Sequence, residues 1–176
     1  MRATWARAKD LVLRVHDYDP RKPVPTMVKK DSQCESGEEK LGTFETMQEC
    51  AKACQDNFVA CIRRALSHGI NHFETARFYG TSEMQYCDAL ATLIENGEVK
   101  REDIIVQTKV VPSSTNAEFR KALEDSWRNC ARLGHIDLFS FHGVSSEKQL
   151  AWTREADDGK GNMSIAEEWK AMGRIR

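Results

Sequence analysis

The sequence lacks any apolar run near the roughly 20 residues that a bilayer-spanning helix requires. It lacks an excess charge of either sign: 26 basic residues face 27 acidic ones, for a formal net charge of -1. That balance gives no electrostatic reason to expect a nucleic-acid partner or an anionic membrane. No CxxC pair occurs among the six cysteines, Cys34, Cys50, Cys54, Cys61, Cys87 and Cys130. At this length a disulfide framework is the weaker reading, and reduced thiols in the cytoplasm are the expectation. Cys50 and Cys54 are four apart and share a helix face. With Cys61 they are the one metal candidate, but small buried or surface thiols are preferred and no metal is expected. The opening MRATWARAKDLVLRV has no proper apolar core or small-residue cleavage site for a secretory signal. Organelle targeting stays open, with Asp10 and the scarcity of serine against it. Finally, no GxGxxG turn follows any strand-like segment, which weakens an open-sheet dinucleotide binder.

What is there begins quietly. Residues 1–45 read as an irregular N-terminal segment. Arg21-Lys22-Pro23-Val24-Pro25 breaks it, and Leu11-Val12-Leu13 and Pro25-Thr26-Met27-Val28 are its only strand-like pieces. From residue 46 onward helix and strand alternate. A helix is predicted over about 47–68, with a break near Asp56-Asn57 and an apolar stripe of Phe58, Ile62, Ala65 and Leu66. Strands follow at 70–75, 104–109 and 136–141. Helices fill the gaps at about 83–95 (Cys87, Leu90, Ala91 and Ile94 inward) and 117–132 (Phe119, Ala122, Leu123, Ser126 and Cys130 inward). A last helix spans about 164–172. Thr81 or Ser82, and Thr115 or Asn116, are candidate caps, while Gly69, Gly97, Gly134 and Gly173 stop helices. Strands alternating with helices mark βαβ units and a parallel sheet, closed as a barrel or left open.

Chemistry collects at the strand ends. Glu74, Lys109 and His142 each close one strand, and Tyr79 stands in the short loop after Glu74. Parallel neighbouring strands would gather all four at one rim. A phenol ionises near pH 10, too high for efficient proton transfer at neutral pH. A neighbouring ammonium stabilises the phenolate. Lys109 can supply that charge, Glu74 can hold Lys109, and His142 can donate to a substrate oxygen. Such a set can polarise a carbonyl and protonate it, but the hydride must come from elsewhere, usually a nicotinamide. Taken singly, each residue is more often structural or solvated than catalytic; the four together at successive strand ends carry the argument.

Four stretches resemble the aldo-keto reductase family. The segment from Gly69 to Glu83, GINHFETARFYGTSE, is similar to the signature around the catalytic acid and tyrosine. Ile104-Ile105-Val106-Gln107-Thr108-Lys109-Val110 resembles the lysine strand, and Ile136-Asp137-Leu138-Phe139-Ser140-Phe141-His142-Gly143 the histidine strand. The segment from Glu168 to Arg176 resembles the helix end leading into the fifth strand. The resemblance implies a (β/α)8 TIM barrel, of which residues 46–176 would form the N-terminal half, about four βα units. It implies NADP(H)-dependent reduction of aldehydes or ketones, with Tyr79 as proton donor, Lys109 as its charged partner and His142 orienting the substrate. Glu74 departs from the family's usual Asp and points to a divergent branch. The family's Gly-rich first strand is poorly matched near residues 24–30. A complete barrel takes about 250 residues, so the cofactor-binding residues are expected mainly beyond Arg176, and exposed barrel edges would make self-association a hazard. The expected partner is a small carbonyl compound, with no nucleic acid or membrane. Two other classes remain in view: a non-catalytic half-barrel acting as an assembly module, and a cysteine-based metal binder.

Overall fold

The computed structural model describes residues 32–36, 39–44, 47–157 and 159–176. The strand-like pieces expected at 11–13 and 25–28 lie outside the described residues. The chain divides into two compact units, Met1–His68 and Gly69–Arg176.

In the first unit, β1 (Ser32–Ser36) and β2 (Glu39–Phe44) pair antiparallel, with an irregularity between Cys34 and Glu35. A hairpin therefore occupies part of the stretch expected to be irregular. Its strands, SQCES and EKLGTF, carry too few alternating apolar residues to announce themselves. Helix α1 (Met47–Ser67) follows without the expected break. Asp56 stays helical, ion-paired to Lys52 one turn earlier at 2.5 Å.

The second unit is built on a parallel sheet ordered β3 (His72–Glu74), β4 (Ile105–Val110), β5 (Leu138–Phe141). In register, Glu74 lies beside Gln107, and Lys109 beside Ser140. A further parallel bridge, Ile136 to Ile175, starts a fourth neighbour. Helix α2 (Ser82–Glu95) connects β3 to β4, and α3 (Asn116–Cys130) connects β4 to β5. Two more helices, α4 (Glu147–Arg154) and α5 (Asn162–Ala171), follow β5. Thr115 caps α3 by accepting from the Glu118 amide. Gly97, at φ 73°, turns the chain out of α2, and Gly134, at φ 81°, ends the 3-10 turn Ala131–Leu133 that follows α3, both in a conformation that a side chain disfavours.

Strand alternation sorts the sheet's two faces. Val106, Thr108 and Val110 are fully buried, while Gln107 and Lys109 between them face the other way. On the helix-covered side, Val110, Phe119, Leu123, Ile165, Trp169 and Ile175 form one apolar cluster. Full burial of each such side chain is worth about 1.5–3 kcal/mol. That cluster fixes β4 and β5 from behind and leaves the opposite face for chemistry.

Not every thiol is free. Cys87 on α2 and Cys130 on α3, fully buried with Cα atoms 5.0 Å apart, are joined as a disulfide. This corrects the expectation of reduced thiols for this pair: the inward stripes of two adjacent helices bring the sulfurs together. Cys61 is an exposed free thiol. Among the described residues, no group of three His, Cys, Asp or Glu side chains gathers to hold a metal. No helix of the described residues is long and apolar enough to cross a membrane.

Candidate active site

The backbone explains why Tyr79 reaches Lys109. Past Glu74, the Thr75 amide donates to Gln107 O and the Arg77 amide to Lys109 O, both at 2.9 Å. The segment after β3 therefore stays laced to β4. Ala76, without exposure, anchors a tight turn in which the Tyr79 amide donates to Ala76 O and the Ser82 amide to Tyr79 O, each at 3.0 Å. Gly80, at φ 61°, allows the reversal. The tyrosine is folded back over the carboxyl end of β4.

Lys109 is the centre of the site. Its side chain is only 13% exposed, and its Nζ donates to Glu74 Oε1. The same nitrogen lies 4.9 Å from the centroid of the Tyr79 ring. Hydrogen bonds to Glu74 and, more weakly, to Tyr79 hold the ammonium above the ordinary lysine value, against the opposing effect of burial. Glu74 responds in the opposite direction: the Lys109 hydrogen bond and charge lower its carboxyl, with smaller help from His72 and His142. The pair is ionised across the neutral range.

His142 completes the rim. Its amide donates to Val110 O at 2.9 Å, one step beyond β5, and Gly143 at φ 66° then turns the chain away. The imidazole meets the Tyr79 ring edge to face, with centroids 5.3 Å apart and planes at 89°. Its Nδ1 is buried without a hydrogen-bond partner. Tyr79 is 49% exposed, so the rim is open above it. The structure thus brings Glu74, Tyr79, Lys109 and His142 to one mouth: a phenol against a fixed cation, a carboxylate holding the cation, and an imidazole beside the phenol.

Other polar groups were not singled out from sequence. Glu83, fully buried at the start of α2, accepts from Thr108 Oγ1 at 2.5 Å and from Asn129 Nδ2 at 2.9 Å. It ties α2 and α3 to the back of β4, directly behind Lys109. The available signal was an acidic residue four positions before Cys87, on the inward phase of its helix. At the opposite end of the sheet, Arg101 donates to Asp137 at 2.6 Å and to the carbonyls of Leu133, Ile104 and His135.

Comparison with known proteins identifies the family and the fold. The Aldo/keto reductase family profile matches residues 40–176. The chain is 28% identical over 141 residues to 3-alpha-hydroxysteroid dehydrogenase of Rattus norvegicus, covering 77% of this chain and 42% of that protein. It is 33% identical over 119 residues to Aldo-keto reductase family 1 member C3 of Homo sapiens, covering 64% and 36%. It is 30% identical over 128 residues to Aldose reductase C of Dictyostelium discoideum, covering 65% and 38%. The chain thus spans well under half the length of these relatives. Among solved structures, an aldo-keto reductase from a Medee basin deep-sea metagenome library superposes with a TM-score of 0.50 at 23% identity, over 68% of this chain and 39% of that one. The fold is part of a (β/α)8 barrel, and the chain belongs to the aldo/keto reductase family.

Proposed function

We propose that this chain supplies the proton-transfer half of an NADP(H)-dependent reductase that converts aldehydes or ketones to alcohols. The observation that carries the reading is the Lys109 ammonium fixed by Glu74 and set 4.9 Å from the Tyr79 ring centroid. A reduced nicotinamide, when bound, supplies hydride to the carbonyl carbon. Tyr79 then gives its hydroxyl proton to the carbonyl oxygen, and the ammonium beside it stabilises the phenolate left behind. His142, touching the Tyr79 ring, is placed to hydrogen-bond the same oxygen. The residues present fit the reacting end of that pair: the rim is open above Tyr79, which is half exposed, and beside it the buried Nδ1 of His142 is left without a hydrogen-bond partner. Holding the cofactor's phosphates falls to residues other than these four. A cytoplasmic setting and a small carbonyl partner belong to the same reading.

The test uses a protein of the relatives' length, built on this chain. Tyr79→Phe removes the transferable proton and keeps the ring. Carbonyl reduction should fall by about 10²–10⁴-fold, in kcat and kcat/KM together, with NADPH binding nearly unchanged. Retention of most activity would overturn the mechanism. The 176-residue chain alone should turn over a simple aldehyde weakly or not at all.

A second reading, a non-catalytic assembly module, has one observation in its favour. Ile105 and Leu138, on the Lys109 face of the sheet, are 38% and 44% exposed. Concentration-dependent association without saturable NADPH binding would favour the module; saturable binding favours the enzyme.

A further inference from the structure

On the face that carries the site, a second polar row runs beneath the first. His72 Nε2 donates to Gln107 Oε1 at 2.9 Å, and Gln107 Nε2 donates to Ser140 Oγ at 2.8 Å. The row steps diagonally across β3, β4 and β5, parallel to the step from Glu74 to Lys109. Each of its residues lies two positions before a site residue: His72 before Glu74, Gln107 before Lys109, Ser140 before His142. Side chains two apart on a strand share a face. The inward positions of such barrels are dominated by branched apolar residues, so three linked polar groups on this face need a reason.

Register supplies it. Gln107 is the direct neighbour of Glu74 in the β3–β4 ladder, and adjacent strands lie about 4.8 Å apart. An amide carries two N–H donors and one acceptor oxygen, whereas an ionised carboxylate only accepts. A Gln107 side chain free to rotate would turn its N–H groups to Glu74, and hydrogen bonds to a charged acceptor are stronger than those to neutral ones. The observed amide does the reverse. Its oxygen is turned to His72 on β3, and its nitrogen is drawn across to Ser140 on β5. Both ends are engaged, and the Glu74 carboxylate is left to Lys109.

We propose that His72 and Ser140 are positioning residues that hold the Gln107 amide away from Glu74 and so reserve the carboxylate for Lys109. The proposal rests on the reading of Glu74 and Lys109 as site residues, though not on what reaction they serve. It also bears on the Glu-for-Asp departure: a carboxylate on a longer stem has more freedom to be captured by a neighbouring amide.

The test reads Lys109 directly in the 176-residue chain. The acylation rate of each lysine by an amine-specific reagent is followed at mildly alkaline pH by peptide-resolved mass spectrometry. A paired, protonated lysine acylates slowly. His72→Phe and Ser140→Ala each release Gln107, and the Lys109 rate should rise about two- to tenfold, the scale of one shared neutral hydrogen bond. Ser140→Thr keeps the oxygen and should match wild type. The decisive variants remove the competitor: Gln107→Leu alone, and combined with either His72→Phe or Ser140→Ala, should restore the wild-type rate. A purely structural role for the row predicts the opposite, with the double variants at least as perturbed as the single ones. Unchanged rates in both single variants, or failure of Gln107→Leu to restore them, would overturn the proposal. If His72→Phe does not fold, the Ser140 cycle decides alone. Because no turnover is measured, the outcome is independent of whether Tyr79→Phe abolishes carbonyl reduction.

Discussion

Glu74 and Lys109 are joined one step out of register: Glu74 lies beside Gln107 in the strand ladder, yet its carboxylate bonds the ammonium two residues further along β4. The carboxylate orients the cation, and nothing in the geometry requires it to touch a substrate. Glu74→Asp should therefore be tolerated. In a protein of the relatives' length built on this chain we expect reductase activity within about tenfold of wild type. Glu74→Gln, which keeps length and removes charge, should be worse than Glu74→Asp. Steady-state kinetics on the two variants check the order; Gln outperforming Asp would mean that reach, not charge, governs the pair.

The amino end of the sheet is held by a different ionic cluster, and it makes stability depend on pH. Asp137 accepts from the Val106 amide at 2.9 Å and from Arg101 at 2.6 Å, and it contacts His135 at 3.0 Å. Burial pushes its carboxyl up, but the Val106 amide and Arg101 outweigh burial and leave it below the ordinary value. Burial, then the Arg101 charge, lowers His135. Both shifts mean that the unfolded chain binds protons more readily than the folded one, so stability rises with pH. The contribution is complete above the unfolded values, near 6.5 for His and 3.9 for Asp, and is lost as pH falls through the lower folded values. Thermal midpoints should therefore decline in two steps on acidification. His135→Gln should remove the upper step. Asp137→Asn should diminish the lower one, to which the lowered Glu74 carboxyl also contributes, and, by leaving Arg101 without its charge partner, cost about 3 kcal/mol at neutral pH.

The sheet and rim were readable in advance because they depend on local pattern. Thr108 and Val110 alternate with Gln107 and Lys109, and that alternation assigns faces before any contact is known. Gly97, Gly134 and Gly173 marked helix ends because a left-handed turn residue is needed there. What was not readable depends on pairs far apart in sequence. Cys87 and Cys130 are 43 residues apart and meet only because α2 and α3 pack side by side. Arg101 finds Asp137, and His72 finds Gln107, for the same kind of reason. Helix α4 was missed because its eight residues bury only Thr153, so no apolar stripe announces it. Its cap, Ser146 accepting from the Gln149 amide at 3.2 Å, was the one local signal.

The Cys87–Cys130 link should be measurable as stability. A cross-link restricts the unfolded chain, and for a loop of this size the chain-entropy scale gives about 4 kcal/mol. Thiol counting in denaturant should find these two cysteines unreactive until reductant is added. Cys130→Ser and reductant should each lower the unfolding midpoint, and reductant should have no further effect on that variant. Two titratable thiols at Cys87 and Cys130 without reductant would show the pair to be reduced.

Arg174 is expected to clamp the start of the fourth sheet neighbour. It follows Gly173, whose φ of 72° turns the chain out of α5, and it precedes Ile175, which bridges to Ile136. Its guanidinium carbon lies 4.6 Å from the Trp169 ring centroid and 5.4 Å from that of Trp127, and its Nη1 is 3.4 Å from Glu124. The two indoles are 6.4 Å apart at 78°, so the planar cation fills the corner between them. A cation–π contact of this kind contributes about 0.5–2 kcal/mol, more when shielded from water. Arg174→Ala should lower stability by about 1–2 kcal/mol, chiefly by loosening the Ile175 bridge and the Trp169 packing behind it. Arg174→Lys is the sharper probe. Lysine keeps the charge near Glu124 but lacks the flat, delocalised group that stacks on indole. If stacking dominates, Arg174→Lys should lose most of what Arg174→Ala loses, and both should shift the tryptophan emission. In a Trp127→Phe, Trp169→Phe background the emission change should vanish, since Trp5 and Trp152 are the other two tryptophans. Full stability in Arg174→Lys would instead assign the clamp to the Glu124 ion pair alone.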